Sequence, residues 1–408
     1  MEIQYTKPQD RWEAQAKKVI PFTNLSDLPE STQQQLAALH GKTGVNIVAV
    51  LYYGGTLGMV PNDRGDLVPC DNPDELLKPL KMKGLDKEVY VVWIPVYKLG
   101  IDSTNARWVH HQSIANVIKL VYDLVDGFAV AGGTDTKSHL LAALSYIFPN
   151  IGKPIIGVAA QVPIFKQGDD ATNNIYFAIC AAYANLSGVH SAFNYVLRRG
   201  LQVFKVQDRR YNAFDAPPSA IIGEFVDSNV ELHGNHPRRN PLVTADRLEM
   251  VKGFMEAVKV VKISTVTPSE SLDYDARDPN CAALLFLTFG AGNVRDEKII
   301  DEEVTHVEIL RQLHEEGIAV VLGSPMMDGR IDSAYRGGAE AIRAGAVSGG
   351  DTCGAALEVK ISRCVFLAWD WDNQRLDYRR FREELYRNHA GELTMDLREL
   401  LEHQLAGE

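Results

Sequence analysis

Two hydroxyls and a carboxylate occupy one turn in the segment "AVAGGTDTKSHLLAAL", residues 129–144, in which Thr134, Asp135 and Thr136 follow a glycine pair. An apolar strand is predicted before the turn and a helix after it. One polar side chain there would cap the helix by accepting a bond from its first N–H groups, but three exceed what a cap requires. The helix dipole favours a carboxylate at this position, so we expect Asp135 to be ionised and able to receive a substrate ammonium group.

A second glycine turn follows the first apolar run of the chain. In "LYYGGTLGM", Gly54, Gly55 and Thr56 come directly after residues 45–53. Glycines allow a ligand to approach the backbone and leave N–H groups available to it. The turn contains neither Gly-x-Gly-x-x-Gly nor Gly-Lys-Ser/Thr. These residues by themselves fit either a ligand-binding turn or an ordinary connection between a strand and a loop.

Further polar side chains stand beside other predicted strands. Lys153, in "GKPIIGVAA", is either a solvated lysine at a sheet edge or a lysine beside Thr134 and Asp135. A cation there would lower the threonine pKa, and a neutral amine would take its proton. Ser103 and Thr104, in "LGIDSTN", either bind a carboxylate or cap the following helix.

Regular alternation of strands and helices must position these residues. Continuous apolar runs predict strands over 45–53, 88–97, 127–132 and 153–160, and helical spacing predicts helices over 106–126, 136–148 and 173–185. Strands buried on both faces and separated by helices indicate a parallel sheet with helices on each side. Ligands of such sheets bind outside the carboxyl ends of the strands.

The fold class predicted is α/β, with a larger N-terminal parallel-sheet domain covered by helices on both faces and a smaller C-terminal α/β domain. The expected division is an extension over 1–44, the larger domain over 45–211, a linker over 212–258, the smaller domain over 259–370 and a charged helical tail over 371–408.

Composition limits the classes of function. Among 408 residues, 46% are hydrophobic and the formal net charge is −11, which argues against a non-specific nucleic-acid or anionic-membrane surface. The sequence shows no signal-peptide core and no run of about 18 apolar residues. The five cysteines form no Cys-x-x-Cys pair, so a reducing cytoplasm is expected. The pair His110-His111 has no partner at metal-ligand spacing, and we predict neither a metal nor a cofactor.

The motifs together resemble the bacterial-type L-asparaginase/glutaminase family. "YYGGTLGM" is similar to that family's Thr-Gly-Gly-Thr-Ile turn, "GGTDTK" to its His-Gly-Thr-Asp-Thr segment, and "GKPIIGVAAQVP" to its Lys-Pro strand. "IDSTN" resembles its serine loop, "LTFGAGNV" its Gly-x-Gly-Asn turn and "AGAVSGGD" its Ala-Gly-Val-Ile-x-Gly segment. The resemblance covers about residues 45–370.

The resemblance implies a role for each matching residue. Thr56 matches the first threonine, the nucleophile, next to Gly55. Thr134, Asp135 and Lys153 match the set that activates attack and water, next to Gly133. Substrate contacts are implied for residues that follow the strands: Ser103, its neighbour Thr104, and Ala160.

Two departures from the family pattern bear on activity. Gly132 stands where the family has histidine. A flexible lid in the family brings a tyrosine onto the first threonine, but Asp66 stands near that place, and no aromatic residue lies between Thr56 and Tyr90. Such a lid predicts slow turnover, a substitute residue or a substrate other than free asparagine.

The resemblance implies an amidohydrolase that cleaves the side-chain amide of L-asparagine or a related small-molecule amide, with no cofactor. It also implies a homo-oligomer, a dimer or tetramer, in which residues near Gly349-Gly350-Asp351 approach a partner's pocket. Two alternatives are an asparaginase-fold binding or regulatory protein with little catalysis, and an amidase component of a larger assembly. Residues 1–44 are too short for the β-rich N-terminal domain that such a component carries in the family.

Overall fold

The computed structural model describes residues 22–39, 41–42, 44–69, 89–97, 100–332 and 334–395. The chain forms two compact units, which meet in sequence between Lys252 and Gly253.

The N-terminal unit is built on one large mixed sheet. Eight strands of the described residues join it in the order β12-β11-β8-β7-β6-β5-β1-β4. They are β1 (Asn46–Tyr52), β4 (Val89–Pro95), β5 (Gly127–Ala131), β6 (Pro154–Val158), β7 (Gly188–Phe193), β8 (Val196–Arg199), β11 (Ile221–Val226) and β12 (Asn229–Leu232). The strands from β4 to β7 in this order pair in parallel, and β8, β11 and β12 continue the sheet antiparallel.

The α-helices found among the described residues of this unit are α1 (Glu30–Leu39), α2 (Trp108–Val121), α3 (Lys137–Ile147) and α4 (Ala171–Tyr183). Strands β5 and β6 are buried along their whole length, which explains their unbroken apolar sequences. Helix α1 belongs to the predicted N-terminal extension and packs on β4, where the Thr32 hydroxyl donates to the Trp93 carbonyl at 2.9 Å.

Strand β1 lies at the point where the strand order reverses. Val50 of β1 is opposite Trp93 of β4 on one side and Ala129 of β5 on the other. Because the chain leaves β1 towards β4 and later returns to β5 on the opposite side, a crevice is expected outside the carboxyl ends of these strands.

The segment 212–258, for which the sequence predicted a linker, contains regular structure. β10 (Phe214–Asp215) pairs antiparallel with β9 (Phe204–Lys205), and β11 and β12 extend the large sheet. Turn residues such as Pro217 and Pro218 mask these short strands in the sequence.

The C-terminal unit contains a four-stranded parallel sheet among its described residues, in the order β13-β14-β15-β16. The strands are β13 (Val258–Lys262), β14 (Ala283–Leu287), β15 (Ala319–Gly323) and β16 (Val347–Ser348); the helices are α5 (Glu270–Ala276), α6 (His306–Glu315), α7 (Arg336–Arg343), α8 (Gly354–Ala368) and α9 (Tyr378–Tyr386). A hairpin of β17 (Trp369–Asp370) and β18 (Arg375–Leu376) precedes α9. The α/β class predicted for the chain is confirmed.

Candidate active site

The loops after β1 and β4 are joined by backbone hydrogen bonds at the point of strand reversal. Gly54 forms a bridge with Ile101, the Gly55 N–H donates to the Ile101 carbonyl at 3.0 Å, and the Ile101 N–H donates to the Tyr53 carbonyl at 2.7 Å. On the other side the Tyr53 N–H donates to the Ala131 carbonyl at the end of β5, at 3.0 Å. The glycine turn after β1 is therefore fixed between the two neighbouring loops.

Three predicted residues meet through contacts that exclude any larger side chain. A Cβ atom on Gly55 would clash with the backbone of Gly133, and a Cβ atom on Gly133 would clash with Oγ of Ser103. Gly55 also has a φ of 81°, a conformation that favours glycine. Thr56 and Thr134 each follow one of the two touching glycines, so the turns that carry the two threonines lie against each other.

A lysine that the sequence did not suggest lies in this site. Lys205, on β9, donates from Nζ to Thr134 Oγ1 at 2.8 Å and to Asp135 Oδ1 at 2.5 Å. Thr134 is buried, whereas the Lys205 side chain is 22% exposed and that of Asp135 is 53% exposed. The turn after β5 thus presents a hydroxyl, a carboxylate and an ammonium group in direct contact.

The expectation that Lys153 lies beside Thr134 is wrong. Lys153 precedes β6, and its Nζ donates to the carbonyls of Tyr122 and Val125 at 2.6 and 2.7 Å. In a parallel sheet a residue before a strand lies at the edge opposite to the carboxyl ends, and β6 separates the two edges by roughly 15 Å. Burial lowers the pKa of Lys153, and its contacts tie the amino-terminal end of β6 to the segment after α2.

No local signal in the sequence marks Lys205. It occupies the two-residue strand β9, in which it pairs with Phe214 of β10. Strand β10 lies in the segment for which the sequence predicted a linker. The contact of Lys205 with Thr134 joins residues 71 positions apart, which periodicity within one element cannot reveal.

The serine loop is ordered by its own polar groups. Ser103 is 3% exposed, and its carbonyl accepts from the Thr136 hydroxyl at 3.1 Å. The Thr104 hydroxyl donates to Asp102 at 3.0 Å, as does its backbone N–H at 2.9 Å. Ser103 therefore faces the glycine turns, whereas Thr104 closes a capping turn. Thr136 links the two loops.

The loop after β6 is fixed by two side chains of α4 and its start. Asp170 accepts from the N–H groups of Gln161 and Val162 at 3.0 and 2.8 Å, and Asn174 donates to the Ala159 carbonyl at 3.0 Å. Ala160, the predicted substrate contact, is fully buried between these anchors. Burial raises the pKa of Asp170.

The glycine at position 132, where the resemblance leads one to expect histidine, is explained by Tyr53. A Cβ atom on Gly132 would clash with the Tyr53 ring. That ring is 1% exposed, burial raises the pKa of its hydroxyl, and the Gly133 N–H donates to it. The aromatic side chain before the first glycine turn thus fills the space that a side chain at position 132 would need.

The stretch after Thr56 begins as a small hairpin of β2 (Met59–Pro61) and β3 (Leu67–Pro69). Asp66, near the expected place of the lid tyrosine, closes its turn: its N–H donates to the Asn62 side chain at 2.9 Å. Residues 70–88 lie outside the described residues.

The two adjacent histidines have separate structural surroundings. His110 accepts from the Arg107 N–H at 2.9 Å at the start of α2. His111 is buried, and burial lowers its pKa to about 3. In the part of the chain that the structure describes, no group of three or more His, Cys, Asp or Glu side chains is arranged to hold a metal ion. The described helices are also each too short or too polar to cross a bilayer.

Comparison with known proteins places these features in a family. The asparaginase N-terminal family model matches residues 47–238. The chain is 28% identical over 356 residues to L-asparaginase 1 of Escherichia coli, covering 86% of this chain and 98% of that protein. It is 28% identical over 348 residues to an L-asparaginase of Dirofilaria immitis, of which it spans only 56%.

Other relatives carry a different name. The chain is 26% identical to a glutamyl-tRNA(Gln) amidotransferase subunit of Pyrococcus abyssi, over 88% of this chain and 79% of that one.

Among solved structures, L-asparaginase I of Vibrio cholerae matches with a TM-score of 0.71 and 25% identity, covering 86% of this chain and 100% of that chain. Motifs, fold and comparisons agree, and together they support the assignment of this chain to the bacterial-type asparaginase family.

Proposed function

We propose that this protein is an amidohydrolase that cleaves the side-chain amide of L-asparagine or a related small amide by acyl transfer to a threonine. The assignment to the asparaginase family supports amidohydrolase chemistry. The observation that carries the proposal is the contact of Lys205 with Thr134 and Asp135, beside the turn that bears Thr56.

Thr56 is the proposed nucleophile. Its Oγ attacks the side-chain carbonyl carbon, the C–N bond breaks, and the proton lost by the Thr56 hydroxyl is passed to the nitrogen, which leaves as ammonia or an amine. Water then cleaves the acyl ester, which releases the carboxylate product and restores the Thr56 hydroxyl. The N–H groups of Gly55 and Gly133 are bonded to the Ile101 carbonyl and the Tyr53 hydroxyl, so the proposed oxyanion donors are the N–H groups of the residues that follow them, Thr56 and Thr134. One such donor is typically worth about 3–4 kcal/mol.

Lys205 supplies the cation that the sequence led us to assign to Lys153. The ammonium group of Lys205 donates to the Thr134 hydroxyl at 2.8 Å. Its charge lowers the pKa of that hydroxyl. Asp135, half exposed at the crevice, is the proposed anchor for a substrate ammonium group, and Ser103 for a carboxylate.

The purified full chain is incubated with L-asparagine, L-glutamine and a panel of N-substituted amides, and the released ammonia or amine is measured. Thr56→Ala should reduce turnover at least about 10³-fold, whereas Thr56→Ser, which keeps a hydroxyl, should retain measurable turnover. Equal rates for Thr56→Ala and the unmodified protein would refute the proposal.

The same experiment distinguishes two alternative functions. Tight binding of an amino acid without product would favour a binding or regulatory protein, the hypothesis supported by the missing lid tyrosine. Ammonia release only after a partner protein is added would favour an amidase component, the reading supported by the similarity to an amidotransferase component. A homo-oligomer and a cytoplasmic location remain predictions of the proposal.

A further inference from the structure

A cavity of about 340 Å³ opens at the surface of the N-terminal unit and shares no lining residue with the glycine turns. We call it the aromatic pocket. It is lined by one turn of α4 and by residues at two hairpin turns: Asn173, Tyr176, Tyr195, Phe225, Asp227 and Ser228.

Tyr195 has an unfavourable backbone conformation for its side chain. The β7–β8 turn, Asn194-Tyr195, has φ angles of 48° and 65°. This left-handed geometry favours asparagine and glycine and disfavours a bulky residue. The Tyr195 carbonyl is held by the Phe225 N–H at 2.9 Å, yet its side chain is 50% exposed. Core packing therefore does not explain why a tyrosine occupies this turn. Its place in the lining of the aromatic pocket does explain it.

Two further rings form a corner of the pocket. The centroids of Tyr176 and Phe225 lie 5.6 Å apart with an interplanar angle of 67°. Phe225 is fixed from behind by stacking on Phe177, with centroids 4.8 Å apart and an angle of 21°. The corner is thus preformed, and ring faces of this kind attract cations through their quadrupole.

The charge at the pocket has one sign. Among the residues that the structure describes, the lining includes the acidic residue Asp227 and no lysine or arginine. Within the described residues, the Asp227 carboxylate has no ion-pair or hydrogen-bond partner. Aromatic faces beside an unpaired carboxylate suit a desolvated, weakly hydrated cation better than an anion or a neutral apolar group.

We propose that the aromatic pocket is a binding site for a small organic cation with an alkylated ammonium group. The alkyl groups contact the rings of Tyr176, Tyr195 and Phe225, and the Asp227 carboxylate balances the charge.

Choline is the probe, and its uncharged isostere 3,3-dimethylbutan-1-ol is the control for shape. Binding of both to the full chain is measured by isothermal titration calorimetry and saturation-transfer NMR. Choline should bind about tenfold more tightly than the isostere, the size of effect expected for a cation over aromatic faces. No choline binding, or equal affinities, would overturn the proposal.

Two variants locate the binding without threatening the fold. Tyr195→Gly removes one wall and suits the left-handed turn, and Asp227→Asn keeps a residue that tolerates its φ of 48°. Each should weaken choline binding at least about fivefold, whereas Glu224→Gln, an exposed acid outside the pocket on the same strand as Phe225, should not. Unchanged affinity in Tyr195→Gly and Asp227→Asn would place choline elsewhere and contradict the proposal. Because binding is measured directly, the outcome does not depend on whether the protein hydrolyses amides.

Discussion

The Nζ atom of Lys205 lies 2.8 Å from Oγ1 of Thr134, across 71 residues of sequence. Strand β9, which carries the lysine, is only two residues long and pairs with β10. This contact brings a cation to a threonine that the sequence had already identified, and the proposed chemistry depends on it.

Ser103 and Thr104 should differ in their effect on substrate binding. Ser103→Ala removes a buried hydroxyl that faces the glycine turns and is expected to raise KM about 10- to 100-fold, since a hydrogen bond to a charged group contributes about 1.5–3 kcal/mol. Thr104→Ala should change KM less than about threefold, because its hydroxyl is bonded to exposed Asp102. Steady-state kinetics on the best substrate of the panel measures both, and a larger effect for Thr104→Ala would contradict the assignment.

Position 132 should tolerate a side chain only when Tyr53 is shortened. Gly132→Ala places a Cβ against the buried Tyr53 ring, so it should lower the free energy of unfolding by about 1–3 kcal/mol. In a Tyr53→Ala background the same change should leave the free energy of unfolding almost unchanged. Urea denaturation of the two single variants and the double variant measures this coupling; additive costs would show that the ring does not set the residue at position 132.

Stability should fall as the pH drops from about 6.5 to about 4. Burial lowers the pKa of His190 and His306 to about 4 and that of His111 to about 3, from an ordinary value of 6.5. In this window the unfolded chain binds protons that the folded chain excludes, so the stabilisation present above pH 6.5 is lost by up to about 1.4 kcal/mol per pH unit for each histidine.

The imidazole of His190 offers a direct check. Its Nε2 lies 2.8 Å from the Ser187 carbonyl, a partner that the amide of a glutamine can also serve. Denaturation midpoints at pH 7.5 and 5.0 should differ less for His190→Gln than for the unmodified chain. An identical pH dependence would mean that this histidine is protonated in the folded protein.

The C-terminal unit should depend on one buried ion pair. Lys360 of α8 and Glu392, in the segment after α9, are each 1% exposed in the side chain and lie 2.7 Å apart. Burial alone would raise the pKa of Glu392, but Lys360 and the N–H groups of His389 and Ala390 hold it below its usual value. The pair therefore fixes the tail to the unit.

Lys360→Met leaves the Glu392 carboxylate buried without its cation and should cost about 3–5 kcal/mol of unfolding free energy. The double variant with Glu392→Gln keeps an acceptor for the backbone donors and should recover much of that loss. Thermal unfolding distinguishes the cases; a double variant as unstable as Lys360→Met would show that the charge of Glu392 is not the cause.

The regular part of the fold was accessible from the sequence. The predicted strands over 45–53, 127–132 and 153–160 contain β1, β5 and β6, and the predicted helix over 136–148 contains α3. Buried parallel strands need unbroken apolar runs, and this requirement is visible within a short window of sequence.

Contacts that depend on distant pairing were not accessible. Lys205 is positioned by a pairing between two strands of two residues each, and neither has a hydrophobic pattern long enough to recognise. The position of Lys153 differs for another reason. Lys153 precedes a strand, whereas the other predicted site residues follow strands, and parallel geometry puts these two sets at opposite edges of the sheet.

The role proposed for Lys205 is tested by comparing the turnover of Lys205→Met with that of Lys153→Met, per mole of folded protein. Both variants remove a partly buried ammonium group of the same unit, and each can be checked for folding by circular dichroism. We expect Lys205→Met to lower kcat at least about 10²-fold, whereas kcat of Lys153→Met should stay within about threefold of that of the unmodified protein. Full activity in Lys205→Met, or a selective loss in Lys153→Met, would contradict the role proposed for Lys205.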